Sequence, residues 1–353
     1  MIAESVRARD TAGVRARGIA PVWAIATVAF LLGSLLVGLG VGAVEISPGA
    51  IVVSAVAHLP LVHIHSSLSA VQDAILWQLR APRVVVAALV GGMLAIAGAS
   101  YQGVFRNPLV DPYLLGVAAG AGLGATLVIT YGHASAQLVP VAAFAGATLA
   151  AACSYILGRS AGPARTTGAL VLAGVTVTAF LTAVQTFVQQ QRTDVLRNVY
   201  SFILGGFATA SWHDAAVAAP YIAASSIVLV LHRRVLDVLA LGDEEAASLG
   251  VNVARVRLVV CAAATAGTAA AVAVSGLIGF VGIIVPHTIR LLVSTSYRAV
   301  VPLSLLVGAG FLVLTDVLAR TILSPQELPI GVITAFFGAP FFAVVLRRSR
   351  GRA

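Results

Sequence analysis

Ten apolar runs, each close to 20 residues long, constrain the fold of this 353-residue chain more than any other feature. A helix of about 20 apolar residues spans the hydrocarbon core of a bilayer. Charged residues make up only 10% of the chain and apolar residues 59%, whereas soluble domains carry about 25% charged residues. The composition therefore excludes a soluble enzyme, a disordered scaffold and a disulfide-rich secreted module. The predicted spans are 22–44, 84–104, 113–131, 138–158, 168–188, 215–231, 258–275, 277–293, 300–318 and 329–346.

The arginines predict the orientation of these spans. If the first run starts in the cytoplasm, seventeen arginines fall in cytoplasmic segments and five on the other side, as the positive-inside rule requires. This predicts a multi-pass, all-α membrane protein with both termini in the cytoplasm. It has a tail at 1–21, one ten-helix domain at 22–346 and a tail at 347–353. The apolar stretch 195–209 is too short to span, and we interpret it as a re-entrant or interfacial helix.

The chain contains no lysine, because all 22 basic residues are arginine. A phosphate-binding loop of the Gly-x-x-x-x-Gly-Lys type is therefore impossible, and any ATP hydrolysis that drives this protein belongs to another chain. The formal charge of +9 is explained by the positive-inside bias, so no nucleic-acid partner is expected.

Few side chains suggest metal or redox chemistry. Cys153 and Cys261 both lie in apolar runs and lack metal-ligand spacing, so we expect two inert thiols. The loop that holds His58, His63 and His65 contains a His-x-His pair, but too few further ligands accompany it. No metal site is predicted.

Charged and polar groups inside or beside the spans are better candidates for function. Asp316 lies in the ninth run, where an (i, i+4) pair with Arg320 would satisfy it. Pro286 and Pro340 are expected to break the eighth and tenth runs. Glycines recur every fourth residue along the third run and predict close helix packing. A possible substrate vestibule at the end of the fifth run comprises Gln189, Arg192 and Arg197.

The loop 237–251 combines apolar residues with the acidic cluster Asp243, Glu244 and Glu245. An acidic segment is unusual on a basic cytoplasmic face. It is either a solvated helical turn or a helix that docks on a cytosolic partner, and the residues alone leave both interpretations open.

Four separated motifs resemble one family of membrane proteins. They follow in order along the chain at 79–125 (containing RNPLVDPY), 239–251 (LALGDEEAASLGV), 275–292 (SGLIGFVGIIVPHTIRLL) and 327–348 (ELPIGVITAFFGAPFFAVVLRR). They are similar to the signature of the FecCD/BtuC-type permeases of bacterial ATP-binding-cassette importers, which take up iron–siderophores, haem and cobalamin. The resemblance implies a BtuC-like type II importer permease fold of ten helices in the bacterial inner or plasma membrane.

The resemblance also implies partners. These are a second permease copy in a homodimer, two cytosolic ATPase subunits and an extracytoplasmic substrate-binding protein, all around a chain embedded in membrane lipid. ATP and Mg would bind to the ATPase, and this chain would hold no cofactor and catalyse no reaction. By similarity, the segment that couples to the ATPase comprises Leu241, Gly242, Asp243, Glu244, Glu245, Ala246, Leu249 and Gly250.

Other residues gain roles by the same similarity. Arg80, Arg83 and Arg320 resemble outward arginines that pair with glutamates of the binding protein. Asn107 and Leu109, with Thr166 and Thr167, resemble the segments that close the cytoplasmic end of the pathway. Two bulky residues beside this gate, Val110 and Tyr113, depart from the small residues common in the family.

The substrate is not encoded by any single residue. The frequency of substrates in the family favours a ferric siderophore, with haem and cobalamin as alternatives. An ATP-independent secondary transporter is an alternative of another class, which the scarcity of acids at membrane depth disfavours. An intramembrane enzyme lacks a nucleophile–base pair, and we expect His287 to cap a broken helix.

Overall fold

A computed structural model describes residues 19–58, 67–132, 137–160 and 167–350. This part of the chain forms thirteen helices and contains no β-strand; the longest helix includes a π-helical stretch at Ile75–Arg80, and there is one short 3₁₀ helix at Thr193–Val195. The helices are α1 Pro21–Gly40, α2 Pro48–Ala57, α3 Ala70–Phe105, α4 Val117–Tyr131, α5 Leu138–Ser160, α6 Thr167–Gln191, α7 Leu196–Leu204, α8 Trp212–Leu239, α9 Asp243–Ser248, α10 Val253–Ser275, α11 Val281–Leu292, α12 Tyr297–Thr321 and α13 Ile330–Arg350.

The helices confirm the predicted fold class of an all-α, polytopic membrane protein. Seven of the described helices are long and apolar enough to cross a bilayer: α1, α3, α5, α6, α8, α10 and α12. The three remaining predicted spans coincide with the apolar helices α4, α11 and α13. Whether each of these three crosses completely stays a prediction. The tails lie mostly outside the described residues.

Helix α3 forms the centre of the bundle, where α8, α10, α11 and α12 pack around it. Small residues permit this close packing, because without a Cβ two helix backbones approach within contact distance. A Cβ added at Gly98 would overlap the carbonyl of Gly282 on α11, and one at Gly91 would overlap that of Gly308 on α12. The predicted glycine ridge behaves likewise, since Gly120 of α4 packs on Gly146 of α5.

The prediction that Pro286 breaks the eighth span is wrong, because α11 continues through it to Leu292. Proline lacks the N–H that would bond to the carbonyl four residues earlier, here that of Gly282. The side-chain amide of Gln102 on α3 donates to this carbonyl at 3.0 Å and replaces the missing bond. Pro340 likewise lies inside α13, and His287 lies within α11, where its ring contacts Phe341 rather than capping a helix end.

The real interruption precedes α11. Residues 276–280 are not helical, and Gly276 and Phe280 have positive φ angles of 68°. Irregular backbone at membrane depth needs partners within the protein. The amide of Leu277 donates to the carbonyl of Phe202 in α7, and the Tyr113 hydroxyl bonds to both the amide and the carbonyl of Ile278, at 3.0 and 2.9 Å. The predicted short helix in 195–209 corresponds to α7.

Charged contacts divide the bundle into two ends. Asp243 pairs with Arg106 and Arg257, and Asp237 pairs with Arg298, so the segments between α3 and α4, α8 and α10, and α11 and α12 lie together. We call this the arginine-rich end. Arg80, Arg83, Arg320 and Glu327 mark the opposite end.

Candidate functional site

The candidate coupling segment projects from the arginine-rich end as the six-residue helix α9. Ala246 is buried and anchors the helix to the bundle, whereas Leu241 and Leu249 are each 64% exposed. Glu244 and Glu245 are exposed beside them. Gly242, with a φ of 141°, allows the chain to turn from α8 into α9. The segment therefore presents apolar and acidic side chains away from the protein, as a docking surface would.

Asp243 differs from the other two acids because it is paired within the chain. It accepts hydrogen bonds from the guanidinium of Arg257 at 3.0 and 3.2 Å, and the guanidinium of Arg106 lies 3.4 Å away. Arg257 is only 8% exposed. The structure thus gives Asp243 an internal role that the sequence interpretation, which grouped all three acids, did not distinguish.

Arg106 connects α9 to the predicted gate. It ends α3 in the left-handed conformation, with a φ of 50°, and the gate residue Asn107 follows at once. The side chain of Asn107 accepts a hydrogen bond from the amide of Leu109 at 2.9 Å. This Asx turn is what an Asn-Pro sequence favours, and it leaves Leu109 43% exposed. One ion pair, between Arg106 and Asp243, therefore connects α9 to the loop that holds Asn107 and Leu109.

The same gate loop is fastened on its other side. Gln102 donates to the carbonyl of Val110 at 3.2 Å and accepts a hydrogen bond from Arg290 of α11. Tyr113 anchors the loop to Ile278. Val110 and Tyr113, the two bulky residues noted in the sequence, are thus attachment points of the loop. Thr166 lies outside the described residues, and Thr167 is described only as the first residue of α6.

The opposite end does not present its arginines as the resemblance implied. Arg80 is 6% exposed and donates to the backbone carbonyls of Leu39, Gly40 and Val44, where it satisfies the C-terminal end of α1. The structure contradicts an outward docking role for Arg80 because its guanidinium is buried and already paired.

Arg83 and Arg320 also have partners within the chain. Arg83 binds Asp316 through its Nε and Nη2 atoms and Glu327 through Nη1 and Nη2, all within 3.1 Å. Arg320 donates to the carbonyl of Gly38, and its Nε lies 3.8 Å from Asp316. The predicted Asp316–Arg320 pair exists, but Arg83 is the closer partner of Asp316. Docking through Arg83 and Arg320 stays a prediction.

The predicted vestibule residues lie at the end of α6 and on α7. Arg192 forms a bidentate pair with Asp194 at 2.9 Å, and this guanidinium holds the pKa of the Asp194 carboxyl below its ordinary value. The charge of Arg192 is therefore largely compensated. Arg197 is exposed on α7 and Gln189 is half-buried.

A cavity of about 700 Å³ lies at the opposite end, between α5, α7, α8, α10 and the start of α13. Gln189, Arg192 and Arg197 are not among its lining residues. Its polar lining, of which the sequence interpretation singled out only Arg83, comprises Arg83, Gln137, Asn198, Ser201, Thr209, His213, Asp214, Ser275 and Glu327. These residues come from six separated segments, so no local motif could have revealed them.

The described residues contain no group of three or more histidine, cysteine, aspartate or glutamate side chains that would hold a metal ion. Cys153 is exposed and Cys261 is buried, and both are free thiols. His63 and His65 lie outside the described residues, while His58 stacks against Trp77.

The structure is a polytopic helical bundle with an exposed acidic helix beside the loop that begins at Asn107. The profile of the FecCD transport family matches residues 29–348, and the chain belongs to this family. It is therefore the permease subunit of an ATP-binding-cassette importer, a family whose members work with separate ATPase and substrate-binding partners.

Named relatives cover most of the chain. The cobalamin import system permease protein BtuC of Halobacterium salinarum is 42% identical over 275 residues, which are 78% of this chain and 74% of that protein. The hemin transport system permease protein HmuU of Yersinia pestis is 39% identical, over 77% of this chain and 83% of that protein. A solved metal-chelate type ABC transporter in an inward-facing conformation has a TM-score of 0.82 and 29% identity, and the match covers 93% of this chain and all of that one.

Proposed function

We propose that two copies of this chain form a translocation pathway for a metal chelate, with the arginine-rich end in the cytoplasm. The positive-inside distribution of the arginines supports this orientation, and it places both termini in the cytoplasm. A binding protein delivers the chelate to the opposite end, and two ATPase subunits holding ATP and Mg act on the arginine-rich end.

The exposed helix α9 is the observation that carries the proposal. Leu241 and Leu249 expose apolar surface next to Glu244 and Glu245, and no described part of the chain covers them. A groove on a cytosolic ATPase would bury the leucines and pair the acids with basic residues. Of the two interpretations of this loop, docking on a partner is the one that this exposure favours.

The gate in this proposal is the loop that begins at Asn107. Closure of the ATPase pair displaces α9, and the Asp243–Arg106 contact transmits the displacement to Asn107 and Leu109. Thr166 and Thr167 would complete the gate from the start of α6. Arg83 and Arg320 can bind the binding protein only if they release Asp316, Glu327 and the carbonyl of Gly38. In the vestibule, Arg197 is the cation that forms no ion pair within the described structure.

The substrate class is an iron–siderophore type of chelate, with haem and cobalamin as the alternatives. The relatives named for cobalamin and for hemin have similar identities to this chain, so identity does not rank them. Pathways of this kind need contacts weak enough for release, and specificity is then expected to lie mainly in the binding protein. The alternative of a secondary transporter conflicts with membership of an ATP-driven importer family.

Reconstitution tests this function directly. Vesicles that contain the permease alone should accumulate no ferric siderophore. Vesicles that also contain the cognate ATPase, with ATP inside and the chelate-loaded binding protein outside, should accumulate it. Haem and cobalamin are offered in parallel to rank the substrates. Uptake by the permease alone, without ATP or binding protein, would contradict the proposal.

Charge reversal on α9 tests the coupling surface. The double substitution Glu244→Lys, Glu245→Lys should reduce copurification of the ATPase roughly tenfold, because two favourable charge contacts become repulsive. The matched control is Glu45→Lys, which reverses an exposed acid at the opposite end. ATPase recovery unchanged from the wild-type ratio would remove α9 from the interface.

A further inference from the structure

A second, smaller cavity lies at the arginine-rich end, and it shares only Arg257 with the coupling mechanism described above. It measures about 210 Å³ and opens between the end of α5 and the starts of α6 and α10. Its lining residues are Tyr155, Gly158, Arg159, Leu170, Ala254, Arg255, Arg257 and Leu258. Three of the eight are arginines and none is acidic, in a chain where charged residues are scarce.

The three guanidinium groups are incompletely paired. Arg257 uses Nη2 to bind Asp243, while its buried Nε has no hydrogen-bond partner among the described residues. Arg159 lies 5.8 Å over the ring of Tyr155, a cation–π contact that leaves its charge uncompensated. Neither Arg159 nor Arg255 forms an ion pair within the described ranges.

The backbone adds to this positive potential. Helix α10 begins at Val253, directly beside the cavity, and the side chain of Asn252 caps only the amide of Arg255. The preceding amides of the first turn remain available, and the helix dipole places partial positive charge there. An anion in the cavity would therefore meet guanidinium groups and helix amides together.

One wall of the cavity is apolar and continues onto the lipid-facing surface. Leu170 and Gly158 line the interior, while Leu258 is 43% exposed. Ile156 and Leu172, on the neighbouring turns of α5 and α6, are also exposed. A ligand that fills this site thus needs a compact anionic group joined to hydrocarbon.

We propose that this cavity binds the phosphate of an anionic membrane lipid, such as phosphatidylglycerol or cardiolipin, with its acyl chains against Leu258. Basic pockets between transmembrane helices on the cytoplasmic side recognise such headgroups. The location in the inner leaflet rests on the proposed orientation, but the binding chemistry does not. The bound lipid would hold Arg257 in place, and Arg257 in turn holds Asp243 at the start of α9.

Native mass spectrometry of the purified, full-length permease in detergent tests the site, without ATPase, binding protein or substrate. Delipidated protein is titrated with dioleoyl-phosphatidylglycerol and, separately, with dioleoyl-phosphatidylcholine. We expect selective retention of phosphatidylglycerol, reduced about fivefold by Arg159→Gln or Arg255→Gln and about thirtyfold by both together. Failure of the import proposal would leave this result unchanged.

Matched variants separate the site from general basicity. Arg233→Gln, Arg234→Gln removes two arginines from the same end that do not line the cavity, and should keep full selectivity. Arg159→Lys, Arg255→Lys retains both charges and should keep most of the binding. Equal retention of the two lipids, or an equal loss in the Arg233, Arg234 variant, would overturn the proposal.

Two further measurements identify other occupants. Millimolar inorganic phosphate that displaces phosphatidylglycerol completely would show a site for free anions rather than for lipid. Displacement by a stoichiometric amount of the ATPase subunit would show that an acidic group of the partner fills the cavity. Either result overturns the lipid assignment.

Discussion

Arg83→Ala is expected to lower the free energy of unfolding of the permease by about 3–5 kcal/mol, the cost of removing one partner from a buried ion pair. Asp316 is only 1% exposed and receives three hydrogen bonds from Arg83, at 2.8 to 3.1 Å. The Nε atom of Arg320, at 3.8 Å, is too distant to replace them. The loss is measured as a shift in the denaturation midpoint of the protein in detergent micelles.

The control for Arg83→Ala is a substitution of Glu327, the second acid that Arg83 binds. Glu327 has a side chain that is 39% exposed, so Glu327→Gln should cost less than about 1 kcal/mol. The double variant Arg83→Leu, Asp316→Leu should recover part of the stability, because it removes the buried carboxylate together with its arginine, while Arg320 keeps its hydrogen bond to the carbonyl of Gly38. If Arg83→Ala unfolds at the wild-type midpoint, the cluster is not a structural element and an external partner for Arg83 becomes the better explanation.

This stability effect changes how a docking experiment is designed. A charge reversal at Arg83 would disturb folding and binding-protein capture together. Arg197 is exposed and forms no ion pair with the residues that the structure describes, so its replacement tests the surface of the opposite end with little effect on the fold.

Asp243→Asn is expected to reduce ATP-driven uptake roughly tenfold, equivalent to about 1.4 kcal/mol of lost coupling. The neutral amide cannot hold Arg257 and Arg106 together, so α9 would move without pulling the gate loop. Uptake and ATP hydrolysis are measured in the same vesicles, and the diagnostic quantity is chelate transported per ATP hydrolysed. A loss of docking would lower both rates, whereas a broken connection lowers their ratio.

A double-mutant cycle gives the control for Asp243. If Asp243 acts through Arg106, the variant Asp243→Asn, Arg106→Gln should lose no more than the worse single variant. Glu244→Gln is the matched acid-to-amide change on the exposed face, and it should leave the transport ratio at the wild-type value. Additive losses in the cycle, or an unchanged ratio in Asp243→Asn, would contradict the internal connection.

The apolar runs were sufficient to predict the fold class, because a bilayer requires each spanning segment to satisfy its own backbone. Every predicted span coincides with a helix of the described structure, and even the short helix in 195–209 was anticipated. The local sequence did not predict correctly how the helices behave at Pro286 and Pro340, which lie inside continuous helices. Whether Pro286 breaks a helix depended on Gln102, a residue in another helix that supplies the missing hydrogen bond.

In the candidate site, too, the sequence predicted what depends on neighbouring residues and missed what depends on contacts between helices. Sequence similarity predicted a coupling segment at 241–250, because that segment is a contiguous motif. It could not separate Asp243 from Glu244 and Glu245, because the difference lies in Arg106 and Arg257, which come from other parts of the chain. It grouped Arg80, Arg83 and Arg320, which the structure also brings to one end, but it could not predict their burial and their internal partners.

The sequence by itself determined that this protein lies in the membrane, how its spans divide and which family it belongs to, since hydropathy and motifs are properties of neighbouring residues. The tertiary structure alone decided which charges are free. Arg83 and Asp316 are 233 residues apart in the chain and 2.8 Å apart in the bundle. In a medium that hardly solvates ions, a charged side chain is defined by the partner that packing brings to it, and only the assembled helices bring that partner.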